Sequence, residues 1–258
     1  MRFQSAGRGR PSVVFVHGFA CDGTDWRAQF DCLQQHTTVV TCDLRGHGLS
    51  PGQEKDCSIE TYGADVAFLR ARLNLSPVIL VGHSMGCRVV LESYRAAPDQ
   101  VAGIVLLDGS RLGAGEHDLT EAVRSRGYQN FVREFFEEMF LASGDARLKA
   151  TIIARAQRLP EALGAPLLAR LACWDATEAI RALDCVRVPL LAIQTTLIDS
   201  QNRRVPLAAG ETSAWLDLLR ERVPKVRVAI LPGQGHFPQL ECPEAVNALL
   251  TEFVADLR

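Results

Sequence analysis

The stretch "PVILVGHSMGCRVVLESYRAA", residues 77–97, decides the fold. It joins a short apolar run, a serine between two glycines and an amphipathic helical pattern. Residues 77–82 read as a buried strand, and the helix starts at about Met85. A tight turn from strand to helix brings backbone segments close together. The positions two before and two after the serine must therefore be small, and Gly82 and Gly86 meet that demand. Such a turn holds Ser84 out as a nucleophile. The helix that begins beside it favours developing negative charge through its free amides. The bland alternative is a glycine turn with a capping serine.

Working outward, apolar runs alternate with helical patterns. Residues 12–17, 37–43, 101–108, 188–194 and 226–231 read as further strands. Residues 24–36, 58–74, 213–223 and 243–257 read as helices between or after them. The strands are nearly continuous apolar runs, as expected for parallel strands covered on both faces. This alternation predicts an α/β fold with a mostly parallel, doubly wound sheet. From Ser110 to Ala182 the strand pattern stops, and three stretches look helical. The chain is therefore expected to divide into a core, 1–109 and 186–258, and a helical cap insertion, 110–185.

The 258 residues suffice for one large core plus a lid. A formal net charge of −2 leaves no basic footprint for nucleic acid. The run "VVFV" near the N-terminus is too short for a signal or a membrane span, so a soluble, cytoplasmic chain with no membrane partner is expected. The eight cysteines are scattered, without a CxxC pair, and read as reduced thiols. No ligand spacing suggests a metal, and nothing implies a cofactor. The expected partner is a small-molecule substrate; a homo-oligomer is left open.

A serine nucleophile needs a base, and histidine suits that task near neutral pH. Of the six histidines, His236 sits in a glycine-bearing loop between the last strand and the last helix, where a serine-first order places the base. His83 adjoins the serine and reads as structural. An oxyanion needs two backbone N–H donors. Met85, directly after the serine, supplies one. Phe19, in the loop after the strand 12–17, supplies the other, with Gly18 permitting close approach. His17, Gly18, Phe237 and Trp174 are the expected substrate-binding residues. Phe131, Phe135, Phe136, Met139 and Phe140 either line an apolar pocket or form the insertion's own core.

The segments "VHGFACDGTDW", "DLRGHGLS", "VGHSMG" and "GQGHFPQLECPE" follow one another in the order and spacing of the α/β-hydrolase superfamily. The chain resembles that superfamily over nearly its whole length. In most members the triad acid follows the strand after the cap, in a pattern like GxxD. Here "PLLAIQTTLIDSQNRRVPL" lacks the glycine, and Asp199 falls about one residue late. Asp108, at the end of the strand after the nucleophile helix, is favoured; some branches of the superfamily place their acid there. Asp199 is the rival. The charged stretch 197–215 reads as a border of the site or an interface.

The resemblance implies a serine hydrolase that cleaves a carboxylic ester or lactone through an acyl-enzyme. The chain is also similar to the cofactor-independent dioxygenases that cleave 3-hydroxy-4-quinolones, through "GHSMGC", Asp108, the glycine-free "IQTTLIDSQNRR" and "GHFPQLE". It lacks the tryptophan expected after their serine turn. A C–C bond hydrolase of ring-cleavage products and a catalytically silent binding protein complete the alternatives.

Overall fold

A computed structural model describes residues 1–112, 116–201 and 203–258. In chain order, β1 (Arg2–Ala6), β2 (Ser12–Val16), α1 (Arg27–Leu33), β3 (Val39–Asp43), α2 (Ile59–Arg72), β4 (Val78–His83), α3 (Met85–Ala96) and β5 (Val101–Leu107) form the first half. Five helices follow without a strand among the described residues: α4 (Glu116–Arg126), α5 (Tyr128–Glu137), α6 (Ala146–Ala156), α7 (Glu161–Thr177) and α8 (Ala179–Asp184). The chain then returns through β6 (Leu190–Gln194), β7 (Thr196–Ile198), β8 (Arg204–Pro206), α9 (Ala214–Arg222), β9 (Val226–Ile230), α10 (Pro238–Glu241) and α11 (Pro243–Ala255).

Seven strands make one sheet in the order β1-β3-β2-β4-β5-β6-β9. All neighbours are parallel except β1, which pairs antiparallel with β3. The apolar strand runs explain this arrangement. Every residue of β2, β4 and β6 is buried, because helices cover both faces. Alternate side chains serve opposite faces. Val13, Phe15, Ile79, Val81, Val105 and Leu107 pack toward α1 and α11. Val14, Val16, Leu80, Ile104 and Leu106 join the core beneath α2, α3 and the inserted helices. Each such side chain contributes about 1.5–3 kcal/mol on burial.

β1, α4, β7 and β8 went unread in the sequence, as did the short α10. β1 alternates polar and apolar residues and lies largely exposed at the sheet edge, so it has no buried run to betray it. α4 is polar and begins beside residues 113–115, which lie outside the described set. β7 and β8 form a three-residue antiparallel hairpin inside the charged stretch. Asn202 of that stretch also lies outside the described residues.

The "DLRGHGLS" loop is held by its own polar groups. Asp43 accepts hydrogen bonds from the amides of Gly23 and Leu49, and Arg45 pairs with Asp65. None of the eight cysteines is in a disulfide. No helix among the described residues is long and apolar enough to cross a membrane.

Candidate active site

β4 enters α3 through Ser84, whose φ of 54° and ψ of −116° are strained for a residue with a side chain. Strain of this kind costs on the order of 1–3 kcal/mol and persists only where the surroundings enforce it. Here they do. A Cβ on Gly82 would lie 2.3 Å from the Gly86 carbonyl oxygen, and one on Gly86 would lie 2.4 Å from that of Val16. The Ser84 side chain does not cap α3. Its hydroxyl is thus left free at the cavity wall, against the capping alternative.

β5 ends at Asp108, which is fully buried and also at positive φ, 44°. Its Oδ1 accepts from the Thr195 and Thr196 amides, both at 2.8 Å. Its Oδ2 accepts from His236 Nδ1 at 2.6 Å, Thr196 Oγ1 at 2.5 Å and Arg204 Nη1 at 3.3 Å. Burial pushes the Asp108 carboxyl up, but the His236 hydrogen bond and the neighbouring cations outweigh it and hold it at about 2. The rival, Asp199, lies elsewhere. It caps the β7–β8 turn, accepting from the amides of Gln201 and Arg203 and pairing with the Arg203 guanidinium. Local turn geometry consumes it.

His236 is fixed at three points. Its N–H donates to the Met139 carbonyl at 2.8 Å, and its own carbonyl accepts from His83 Nε2 at 2.7 Å. Its Nδ1 carries the proton given to Asp108, which leaves Nε2 as the basic nitrogen. Nε2 is buried and, among the described residues, has no hydrogen-bond partner. Burial, and then the charge of Arg204, lower this imidazole to about 4, so it is neutral at pH 7. Glu241 fastens the loop by accepting from the amides of Gly235 and Phe237.

Ser84, His236, Gly18, Phe19, His83 and Phe237 line one small cavity of about 30 Å³. Its apolar wall includes Phe135, Phe136 and Met139 from α5 and the turn after it, and Leu168 and Leu171 from α7. Among the described residues, neither the Phe19 nor the Met85 amide donates a hydrogen bond. Both flank the serine turn. A Cβ on Gly18 would lie 3.2 Å from His83 Nδ1 and from Ser84 Cβ, which accounts for the glycine.

Two expected substrate-binding residues are elsewhere. His17 is wholly buried beneath the loop, with Nε2 accepting from the Leu44 amide and Nδ1 donating to the Gly18 carbonyl. Both ring nitrogens are used, and the ring stays outside the cavity. Trp174 faces α3, where its Nε1 donates to Glu92 Oε1 at 2.7 Å. Phe131 and Phe140 are also off the cavity: Phe131 stacks on Phe135 within α5, and Phe140 stacks behind Phe237.

The cavity also contains residues the sequence did not reveal. His83 lines it. So does Arg88, one helical turn after Ser84, whose guanidinium grips Asp175 twice, at 2.8 and 2.6 Å. An arginine inside the apolar run 85–91 was the available signal for Arg88. Arg204 arrives from β8, and nothing in its local sequence marks it.

A parallel sheet whose central strand turns sharply at a serine, with a histidine–aspartate pair over the same cavity, defines a class of enzymes. The chain belongs to the alpha/beta hydrolase family, whose model matches residues 13–249. It is similar to the pimeloyl-[acyl-carrier protein] methyl ester esterase of Xanthomonas oryzae, at 27% identity over 96% of each chain. It is also similar to the 2-(acetamidomethylene)succinate hydrolase of Mesorhizobium japonicum, at 26% identity over 95% of this chain and 88% of that one. It spans only 65% and 48% of two other curated relatives. Among solved structures, an esterase from Thermogutta terrifontis superposes with a TM-score of 0.81 at 23% identity, covering 99% of this chain and 93% of that one. These likenesses place the chain among hydrolases.

Proposed function

We propose that this hydrolase cleaves a carboxylic ester or lactone by nucleophilic catalysis. The observation that carries the reading is the cavity shared by an unencumbered serine hydroxyl and the unpartnered Nε2 of a histidine anchored to Asp108. In this reading Ser84 Oγ attacks the carbonyl carbon and gives its proton to His236 Nε2. Asp108 holds the imidazole in the required tautomer and stabilises its charged form. The free Phe19 and Met85 amides receive the negative charge that develops on the carbonyl oxygen. The imidazolium then protonates the leaving alcohol. Water, deprotonated by the same nitrogen, releases the acid from Ser84.

The esterase relative, matched over nearly its full length, supports ester rather than C–C cleavage. Asp108 in place of the post-cap aspartate is compatible with this chemistry, because a triad is defined by its geometry rather than its chain order. The helices 116–184 act as the cap, since they supply the apolar wall above Ser84.

The test is hydrolysis of short p-nitrophenyl esters and simple lactones by the native protein and by Ser84→Ala. Turnover that vanishes in a folded Ser84→Ala protein supports the reading. Full activity in that variant refutes it. An inert native protein that takes up oxygen with a 3-hydroxy-4-quinolone would transfer the site to the dioxygenase chemistry.

A further inference from the structure

The cavity holds two buried arginines, and they are not equivalent. Arg88 is engaged at all three nitrogens. It meets Asp175 through two nitrogens and also donates to the carbonyls of Ser84 and Ser110. Arg204 is less deeply placed, its side chain 9% exposed against 5% for Arg88, and among the described residues only Nη1 is engaged. That nitrogen donates to Thr196 Oγ1 at 2.7 Å and reaches Asp108 Oδ2 at 3.3 Å. Asp108 Oδ2 is already closer to His236. Among the described residues, Nε and Nη2 of Arg204 have no acceptor. Among the described residues no aspartate or glutamate lines the cavity, and Glu138 acts on Arg204 only through its charge, with no hydrogen bond.

A buried cation that shares one carboxylate with a histidine is poorly compensated, and burial without a full partner is costly. The charge also works against the chemistry. It lies beside His236 and opposes the imidazolium that must form during attack, in keeping with its part in lowering that histidine. Both costs are removed by an anion on the free edge of the guanidinium. The fork of Nε and Nη2 matches a carboxylate in bidentate geometry, and the apolar wall strengthens the pairing by excluding water.

We propose that Arg204 is the anion-recognition residue of this cavity, and that the substrate is an ester or lactone bearing a second, free carboxylate. The substrate class rests on the hydrolase reading above; the anion site itself does not. Arg204 plays a double part: it steadies Asp108 through Nη1 and seats the substrate's carboxylate through the opposite edge. Once seated, that carboxylate offsets the cation beside His236, so the base becomes stronger only when an acidic substrate is present.

The experiment compares mono-p-nitrophenyl glutarate with neutral p-nitrophenyl butyrate in the native protein, Arg204→Gln and Arg204→Lys. The native protein is expected to favour the acidic ester in kcat/KM by about ten- to a hundredfold, the scale of a charge-assisted pair. Arg204→Gln is expected to erase that ratio, mostly through KM, and Arg204→Lys to restore part of it. A residue that merely supported Asp108 would lower both esters alike and leave the ratio unchanged, which overturns the proposal. So does a native protein without preference. If neither ester is cleaved, the hydrolase reading fails, and the anion site is judged by calorimetry of glutarate with Ser84→Ala. Binding that disappears on adding Arg204→Gln supports it; absent or unaltered binding overturns it.

Discussion

Asp108→Asn offers a sharp perturbation of the site, because the structure dictates how the amide must sit. Oδ1 receives two backbone N–H donors, from Thr195 and Thr196. The asparagine oxygen must take that place, since an NH₂ there would face two donors. The NH₂ then falls at Oδ2, opposite His236 Nδ1 and Arg204 Nη1. It can only donate. His236 must answer with a bare Nδ1 and carry its proton on Nε2, where it can no longer accept from Ser84. Fixing the wrong tautomer in a serine triad lowers turnover by about 10⁴-fold, or roughly 5.5 kcal/mol of barrier. That is the expected loss in kcat/KM for a p-nitrophenyl ester. The substitution also strips Arg204 of the carboxylate it reaches at 3.3 Å, and breaking a buried pair costs about 3–5 kcal/mol of stability. Denaturant unfolding therefore accompanies the kinetics, and activity is compared under conditions where both proteins are folded. Asp199→Asn serves as the control, with kcat/KM expected to stay near native. A folded Asp108→Asn protein that keeps more than about a tenth of native activity would refute the tautomer argument. A larger loss in Asp199→Asn would move the acid to the hairpin.

Gly86→Ala drives a Cβ to 2.4 Å from the Val16 carbonyl oxygen, a backbone atom that cannot step aside. It is expected to lower the denaturation midpoint sharply and to abolish turnover, and urea unfolding reads the first effect. Trp174→Phe removes the donor to Glu92 without touching the cavity. It is expected to cost about 1.5–3 kcal/mol of stability, the scale of one hydrogen bond to a charged group, with Arg95 still donating to the same Glu92 oxygen and KM unchanged. Burial lowers His17 to about 3 and His47 and His236 to about 4, and lowers His83 as well. The unfolded chain therefore binds more protons than the folded one below about 6.5. Stability is intact above that pH and is lost as pH falls toward 4, by about 1.4 kcal/mol per unit for each histidine. Calorimetric unfolding from pH 7 to 4 should show that slope. A flat profile would contradict the neutral buried rings.

What the sequence disclosed followed from how local each demand was. Gly82 is dictated by contacts within a turn of a few residues and Gly86 by the backbone of β2 beside it, and the pentapeptide carries both. The buried parallel strands announce themselves by composition, because both faces need apolar side chains. β1 does not, since an exposed edge strand needs none. Trp174 was placed on the wrong side because Leu167, Leu168, Leu171 and Trp174 share one broad buried face of α7, of which Leu168 and Leu171 meet the cavity while Trp174 meets α3. Periodicity then cannot say which neighbour each one meets. His17 carries the same lesson for a loop: its two ring nitrogens are consumed by the Leu44 amide and the Gly18 carbonyl, one of them 27 residues away.

The missing glycine after β6 and the hidden arginine have one physical origin. A loop that delivers a triad acid must turn tightly and point a carboxylate at the histidine. In the proposed triad Asp108, directly after β5, already holds that position, and the segment after β6 has no such duty. It folds instead as the β7–β8 hairpin, whose Thr195 and Thr196 amides clamp the carboxylate supplied from the neighbouring strand. The hairpin's second strand then carries Arg204 to the cavity wall. Moving the acid by one strand thus converts an acid-bearing loop into a donor-bearing one. The positive edge it presents is the feature by which this cavity would select a negatively charged ester.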